Sequence, residues 1–139
     1  MPEKSSSALP DIRKVVVLNA PVVKVWKTIA TSEGLASWWM PNNFKHIAGQ
    51  EFYVDDGRFH ANCKVLEIEP PHRLVFSFGK DWRLTFELKD LGGKTEFTLV
   101  HSGWDAGKVT EFGQPHTIIR EVMERGWGDL NKLRRHAEA

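Results

Sequence analysis

Residues 74–88 read LVFSFGKDWRLTFEL, a stretch in which large apolar side chains alternate with other residues on both sides of a short turn. Alternation with a period of two is typical of β-strands that bury one face. The apolar positions are Leu74, Phe76 and Phe78 before Gly79, and Trp82, Leu84, Phe86 and Leu88 after it. Parallel strands would need a crossover of about a dozen residues, so this stretch predicts an antiparallel pair.

The same period of two extends outward from this pair in both directions. Residues 51–55, 59–69 and 95–101 alternate in the same way, and Asp56-Gly57, Pro70-Pro71 and Gly92-Gly93 separate the strands as turns. β-branched residues at 15–17 predict a further strand near the N-terminus. We therefore expect a six-stranded antiparallel sheet with one apolar face and one solvated face.

Helical spacing replaces the alternation outside these strands. Two short amphipathic segments follow the first strand between Pro21 and Pro41. From Pro115 to His136 apolar residues recur every three to four positions, at Ile119, Val122, Met123, Trp127, Leu130 and Leu133. They predict one C-terminal helix of about 33 Å. The expected fold class is α+β: a curved six-stranded antiparallel sheet around a long C-terminal helix, with two short helices after strand 1.

The length of 139 residues predicts one domain. Residues 1–10 are polar, carry three consecutive serines and predict a disordered tail, followed by a single domain over residues 11–139. No apolar run approaches the ~18 residues of a membrane helix, and no signal peptide is visible, so we expect a cytoplasmic protein without membrane insertion. An edge strand near residues 51–55 could pair with the same strand of a second chain, so the expected state is a monomer or a weak dimer.

Composition argues against several function classes. The 19 basic residues are balanced by 18 acidic ones, and the resulting net charge of +1 argues against nucleic acid as a partner. The single cysteine, Cys63, excludes an internal disulfide and predicts a buried, inert thiol. The six histidines lack metal-ligand spacing, and no phosphate-binding loop or G-x-S-x-G motif occurs. We therefore expect no metal and no other cofactor.

Aromatic residues are the unusual feature of the composition, with six Trp and eight Phe against one Tyr. Aromatic side chains on facing elements are typical either of a packed core or of the wall of an apolar cavity. A strongly curved sheet under a straight helix leaves a gap, which makes the cavity our hypothesis and the packed core its alternative. The residues expected to line the cavity or its mouth are Trp39, Phe76, Phe78, Trp82, Phe86, His101, Trp104, Met123 and Trp127.

Four local patterns, in this order, resemble the Hsp90-ATPase-activator-homologue family of the Bet v 1/START-like (SRPBCC) superfamily. They are Ala20-Pro21-x-x-x-Val25-Trp26, Trp38-Trp39-x-Pro41, Val65-Leu66-Glu67-x-Glu69-Pro70-Pro71-x-Arg73-Leu74 and Gly126-Trp127. The likeness spans residues 12–135. It implies a helix-grip fold with an apolar cavity between sheet and long helix. It also implies ligands such as lipids, sterols, or flavonoid- and polyketide-like molecules, and in some relatives a cyclisation or a hydrolysis.

Three functions follow as hypotheses. The first is non-catalytic binding of a small hydrophobic or aromatic molecule, because no catalytic constellation accompanies the aromatic residues. The second is a stress-response module that binds a partner such as an Hsp90-type chaperone, for which an exposed apolar patch at Trp38-Trp39-Met40 would be the surface. The third is a cyclase- or hydrolase-like enzyme with His101 as its base, because strand parity places this residue on the apolar face at the end of its strand.

Overall fold

Main-chain pairing builds one six-stranded antiparallel sheet in the computed structural model, which describes residues 8–128 and 130–139. The strands are β1 (Ile12–Leu18), β2 (Glu51–Asp55), β3 (His60–Glu69), β4 (Arg73–Phe78), β5 (Trp82–Asp90) and β6 (Thr95–Ser102). Their order across the sheet is β1-β6-β5-β4-β3-β2, so five consecutive strands form a meander and β1 pairs with the last of them. The predicted sheet is confirmed.

The sheet is curved, and its apolar positions are buried. The register of β3 on β4 shifts between Val65 and Glu67, and such a bulge bends a strand and increases its twist. β1 pairs along its whole length with β6, from Ile12 opposite His101 to Leu18 opposite Thr95. The alternating apolar residues of β4 and β5 are all buried, namely Leu74, Phe76, Phe78, Trp82, Leu84, Phe86 and Leu88.

Two short helices follow β1, as predicted. Helix α1 (Val22–Ile29) begins directly after Pro21, whose fixed φ and missing N–H suit a helix start. Helix α2 (Ser32–Trp38) is capped by Thr31, whose Oγ1 accepts a hydrogen bond of 3.0 Å from the Gly34 N–H. Both helices pack on the apolar face of the sheet.

The C-terminal region forms two helices and not the one long helix that we expected. They are α3 (His116–Trp127) and α4 (Asn131–Glu138). Gly126 and Gly128 lie at the end of α3, and glycine lowers helix stability by about 1 kcal/mol relative to alanine. The apolar spacing of the sequence continues past the break, where Leu130 and Leu133 follow Trp127, so periodicity alone conceals the break. None of the helices within the described ranges is long and apolar enough to cross a membrane.

The two C-terminal helices are packed to different extents. Helix α4 lies against α1, α2 and β1, and its Leu133 and Ala137 are fully buried. In α3 only His116 and Trp127 are buried. Val122, which the periodicity places on the inner stripe, is 49% exposed. The apolar face of α3 is therefore incompletely covered, and this leaves space between α3 and the rest of the fold.

The predicted tail, residues 1–10, is described only in part, because residues 1–7 lie outside the described residues. Ala8 forms an isolated bridge with Asp105, and the Leu9 N–H donates a hydrogen bond of 3.0 Å to the Trp104 carbonyl. Residues 8–10 therefore run beside the segment that follows β6.

Candidate functional site

An apolar cleft runs beneath α3. It consists of two cavities that share Val122 and Met123, and we call it the α3 cleft. The smaller cavity, of about 250 Å³, is lined by Trp38, Trp39, Val122, Met123, Gly126, Trp127 and Leu130. The larger cavity, of about 330 Å³, is lined by Arg58, Phe59, Trp82, Thr110, Phe112, Gln114, Ile119, Val122 and Met123. Most of these side chains are apolar or aromatic, as in sites for small organic molecules.

Polar contacts hold the side of α3 that does not line the cleft close to β1. Arg120 Nε donates to the Pro10 carbonyl over 2.9 Å, and Arg120 Nη1 donates to Glu124 Oε1 over 3.1 Å. Lys14 Nζ lies 3.7 Å from Glu124 Oε2. Partly exposed ion pairs of this kind contribute little to stability. They leave Ile119 and Met123, on the neighbouring face of the helix, free to line the cleft.

Trp39 forms part of the inner wall of the smaller cavity. Its ring centroid lies 5.5 Å from that of Phe78, 6.0 Å from that of Phe76 and 5.7 Å from that of Trp127. Trp38 is 7% exposed and packs against Phe86. The expected exposed patch at residues 38–40 is therefore wrong, because α2 turns Trp38 into the core and leaves Trp39 and Met40 only half-exposed.

His101 lies inside a cluster of aromatic rings. It has no exposed surface. Trp127 Nε1 donates to His101 Nδ1 over 3.0 Å, and Trp104 Nε1 donates to the His101 carbonyl over 3.0 Å. Burial, with additional electrostatic effects of the Arg120 guanidinium and of the nearby His116 ring, lowers the pKa of His101 to about 3. The imidazole is therefore neutral at pH 7.

His116, a second buried histidine, forms a pair with Asp81. Its Nε2 lies 3.2 Å from Asp81 Oδ2, and its Nδ1 accepts a hydrogen bond of 3.1 Å from the Asp105 N–H. An Asp–His pair is part of the hydrolase triad, in which the second ring nitrogen takes a proton from a nucleophile. Here both ring nitrogens are occupied. The pair fastens the start of α3 to the turn between β4 and β5.

Other chemistry-bearing groups lie away from the cleft. Burial raises the pKa of the Cys63 thiol to about 12, so this cysteine is unreactive at neutral pH. Across residues 8–128 and 130–139 no group of three or more His, Cys, Asp or Glu side chains could hold a metal ion. Two wider depressions, of about 670 and 640 Å³, mix polar side chains such as Asn62 and Lys64, or Arg73 and Glu87, with apolar ones such as Phe52 and Leu88.

The structure places the predicted site residues in three settings. Trp39, Trp82, Met123 and Trp127 line the α3 cleft. Phe76, Phe78 and Phe86 are buried in the packed core behind it. His101 and Trp104 line neither cavity, in contrast to the position near the mouth that we expected, because the Trp104 indole turns back onto the His101 carbonyl.

Phe59 and Phe112 are cleft residues that sequence reasoning missed. Their ring centroids lie 5.4 Å apart at the larger cavity, and Phe112 is 50% exposed. For Phe59 the available signal was its alternation with the inward-facing Ala61 and Cys63 of β3. Phe112 lies in the irregular segment between β6 and α3, where periodicity assigns no facing, so only the tertiary structure brings it to the cleft.

Solved structures of several proteins share this fold. Protein BH1534 of Bacillus halodurans is 40% identical over 95% of this chain and 99% of its own, with a TM-score of 0.84. DynU16, described as a putative protein in the dynemicin biosynthetic locus, is 25% identical over 93% of this chain and 47% of its own, with a TM-score of 0.74. The Aha1 dimer from Colwellia psychrerythraea shares the fold at 16% identity over 86% of this chain and 89% of its own, with a TM-score of 0.69.

No curated protein sequence matches the chain. The family model described as "Activator of Hsp90 ATPase homolog 1-like protein" matches residues 19–137, which include strands β2 to β6, helices α1 to α3 and all of α4 except its last residue. The resemblance seen in the four sequence patterns is thereby confirmed, and the chain belongs to the Activator of Hsp90 ATPase homolog 1-like family.

Proposed function

We propose that this protein binds a small hydrophobic or aromatic molecule in the α3 cleft without transforming it. The observation that carries the proposal is the apolar lining of the cleft, beneath a helix that buries only His116 and Trp127. Apolar area left open to water is unfavourable by roughly 25 cal/mol per Å². A ligand that covers Val122 and Met123 recovers this free energy.

The size of the cleft favours a molecule of a few fused or linked rings. Pockets for organic ligands typically measure about 300–1,000 Å³, and the two cavities measure about 250 and 330 Å³. A molecule that passes Met123 would occupy both. DynU16, described as a putative protein in the dynemicin biosynthetic locus, supports a small biosynthetic product as the ligand class. Polyketide- and flavonoid-like molecules, sterols and bent lipid tails all have the apolar character that the cleft requires.

The lining of the cleft supports binding without catalysis. Among the residues that the structure describes, its polar side chains are those of Arg58, Thr110 and Gln114, so no carboxylate, imidazole or thiol of that part of the chain lines it. The cyclase- or hydrolase-like alternative used His101 as a base. His101 lies behind the cleft with Nδ1 already bound to Trp127, which leaves that role without an accessible proton acceptor.

The test is a titration of the purified protein with a flavonoid, a fatty acid and a sterol. We expect tryptophan fluorescence and the amide resonances of residues 119–127 to change with at least one of them. Met123→Trp fills the cleft and should raise the dissociation constant at least tenfold. Ile118→Trp adds the same ring to the exposed face of α3, where Ile118 is 55% exposed, and should leave affinity unchanged. If none of the three compounds perturbs these signals at high micromolar concentration, the proposal fails.

A role as a partner of an Hsp90-type chaperone is the second candidate. Family membership and the fold shared with the Aha1 dimer support it. Exposed Phe112, Ile118 and Val122 would provide apolar contact surface on and before α3. This role would place the protein in the cytoplasm and in the stress response. Stimulation of the ATPase rate of Hsp90 at saturating protein would support this role, and an unchanged rate would exclude it.

The oligomeric state is a separate question. Sedimentation velocity measures whether the chain is the predicted monomer or weak dimer.

A further inference from the structure

Polar side chains are unevenly distributed along the α3 cleft. The described residues around the smaller cavity are apolar or aromatic, and none of them has a charged, amide or hydroxyl side chain. The larger cavity adds Arg58, Thr110 and Gln114 to its apolar walls. Val122 and Met123 line both cavities and join them. The cleft therefore runs from an apolar end, in the smaller cavity, to an end that carries polar groups, in the larger one.

Arg58 is the one ionisable residue among the described residues that line the cleft. It lies in the turn between β2 and β3 and is exposed, so its guanidinium belongs to the rim of the larger cavity. The next residue, Phe59, lines the same cavity, and its ring centroid lies 5.4 Å from that of Phe112. This contact holds the turn that carries Arg58 beside the segment that contributes the other polar lining residues.

The two carboxylates of the same turn have partners other than the Arg58 guanidinium. Asp56 Oδ1 accepts hydrogen bonds from the backbone N–H groups of Arg58 and Phe59, over 2.9 and 2.8 Å. Asp55 Oδ2 lies 2.9 Å from His60 Nδ1. No hydrogen bond or ion pair joins the Arg58 guanidinium to another residue of the described chain. The guanidinium is therefore available to an anion that enters the cleft.

A carboxylate is the anion that fits a guanidinium at the rim of an apolar cleft. The planar fork of N–H donors on arginine matches the two oxygens of a carboxylate, and the bonds are strengthened by charge. Because Arg58 is exposed, a carboxylate beside it stays partly hydrated and avoids the high cost of burying a charge. The hydrocarbon part of the same molecule is favoured in the smaller cavity, where it is removed from water.

We propose that the ligand of the α3 cleft is an amphipathic carboxylic acid, bound as its anion, whose apolar rings or chain occupy the smaller cavity and whose carboxylate pairs with Arg58 at the rim of the larger one. This inference rests on the proposed function, because it assigns the polar anchor of the same cleft. It makes Arg58 the residue that distinguishes an acid from a neutral apolar molecule of the same shape, and it fixes the direction in which the ligand lies.

The test compares two acids, 4-biphenylacetate and decanoate, each with the corresponding primary alcohol, by calorimetric titration of wild type, Arg58→Gln and Arg83→Gln. Arg83 is exposed on β5 and lines neither cavity, so its variant removes the same charge elsewhere. We expect Arg58→Gln to raise the dissociation constant of an acid that binds about three- to tenfold and to leave that of its alcohol unchanged. Arg83→Gln should change neither.

A second readout uses wild type alone. Raising the salt concentration should weaken binding of the acid and not of the alcohol, because salt screens an exposed ion pair. If acid and alcohol bind equally well, or if Arg58→Gln keeps the preference for the acid, the anchor is wrong while the proposed function stands. The same conclusion follows if neither acid binds but the flavonoid or the sterol does. If every one of these compounds fails to bind wild type, the proposed function itself is wrong.

Discussion

Trp127 Nε1 and His101 Nδ1 are joined by a buried hydrogen bond of 3.0 Å, which links the last residue of α3 to β6. Trp127 is 6% exposed and also lines the smaller cavity. This bond anchors the C-terminal end of α3, as the buried His116 and its partner Asp81 anchor the start of the helix. It fixes one end of the helix that covers the cleft.

Removing this donor should destabilise the protein. Trp127→Phe leaves His101 Nδ1 buried without a partner, and we expect a loss of about 1–3 kcal/mol in the free energy of unfolding. Urea denaturation followed by circular dichroism measures it. Trp26→Phe is the matched control, because its partner His46 is exposed and can bind water instead. Equal losses in both variants would contradict the anchoring role.

His101 should make stability depend on acidity. The pKa of His101 is lowered from 6.5 to about 3 in the folded protein. Between these two pH values the unfolded chain binds a proton at His101 and the folded chain does not. Stability should therefore be fully present above pH 6.5 and be lost as the pH falls from 6.5 toward 3, by up to about 1.4 kcal/mol per pH unit.

The control for this pH dependence is His101→Asn, whose side-chain oxygen can replace Nδ1 as the acceptor for Trp127 but does not titrate. Urea denaturation of both proteins at pH 7, 6, 5 and 4 gives the comparison. We expect the variant to lose less stability than wild type over this range. Parallel curves would show that other groups, such as the exposed His60–Asp55 pair, dominate the acid response.

Gly103 should be far less tolerant of alanine than Gly93. Both have positive φ, of +97° and +95°, where side chains are disfavoured. A Cβ on Gly103 would lie 2.2 Å from the Asp81 carbonyl oxygen, whereas a Cβ on Gly93 meets nothing within 4 Å. We expect Gly93→Ala to cost about 1–2 kcal/mol from backbone strain and Gly103→Ala to cost at least twice as much. Similar melting temperatures for the two variants would contradict the close approach.

Gly126→Ala should stabilise the protein and weaken ligand binding. Gly126 is helical, and a Cβ there meets nothing within 4 Å, so alanine should add about 0.5–1 kcal/mol to stability. Gly126 also lines the smaller cavity, which the added methyl group would narrow. Thermal unfolding and the flavonoid titration measure the two effects. A stabilised variant with unchanged affinity would place the ligand in the larger cavity alone.

Much of the fold follows from local patterns. The alternation around Trp82 and Phe86 sets the facing of their strand, because side-chain direction in a strand has a period of two whatever it packs against. The same parity correctly turned His101 inward. The division of the C-terminal helix was not predictable in this way, because Leu130 and Leu133 continue the apolar stripe beyond Gly128.

The residues that line the α3 cleft were predicted less completely. Trp39, Met123 and Trp127 reach it through facings that helical spacing indicates, but Phe112 reaches it from an irregular segment. For each single ring the aromatic composition favoured a packed core, with the cavity wall as the alternative. Phe86 lies in the core and Trp82 at the cavity, although both occupy the same face of β5.

The amino-acid order by itself determined the strands, their antiparallel connection and the inward face of each, because these depend on neighbours within a few residues. Only the tertiary structure decided that α3 covers the sheet incompletely and that His101 lies behind Trp104 and Trp127. Both outcomes depend on which side chains fill the interior when segments that are distant in the sequence pack together. Local periodicity contains no information about this packing.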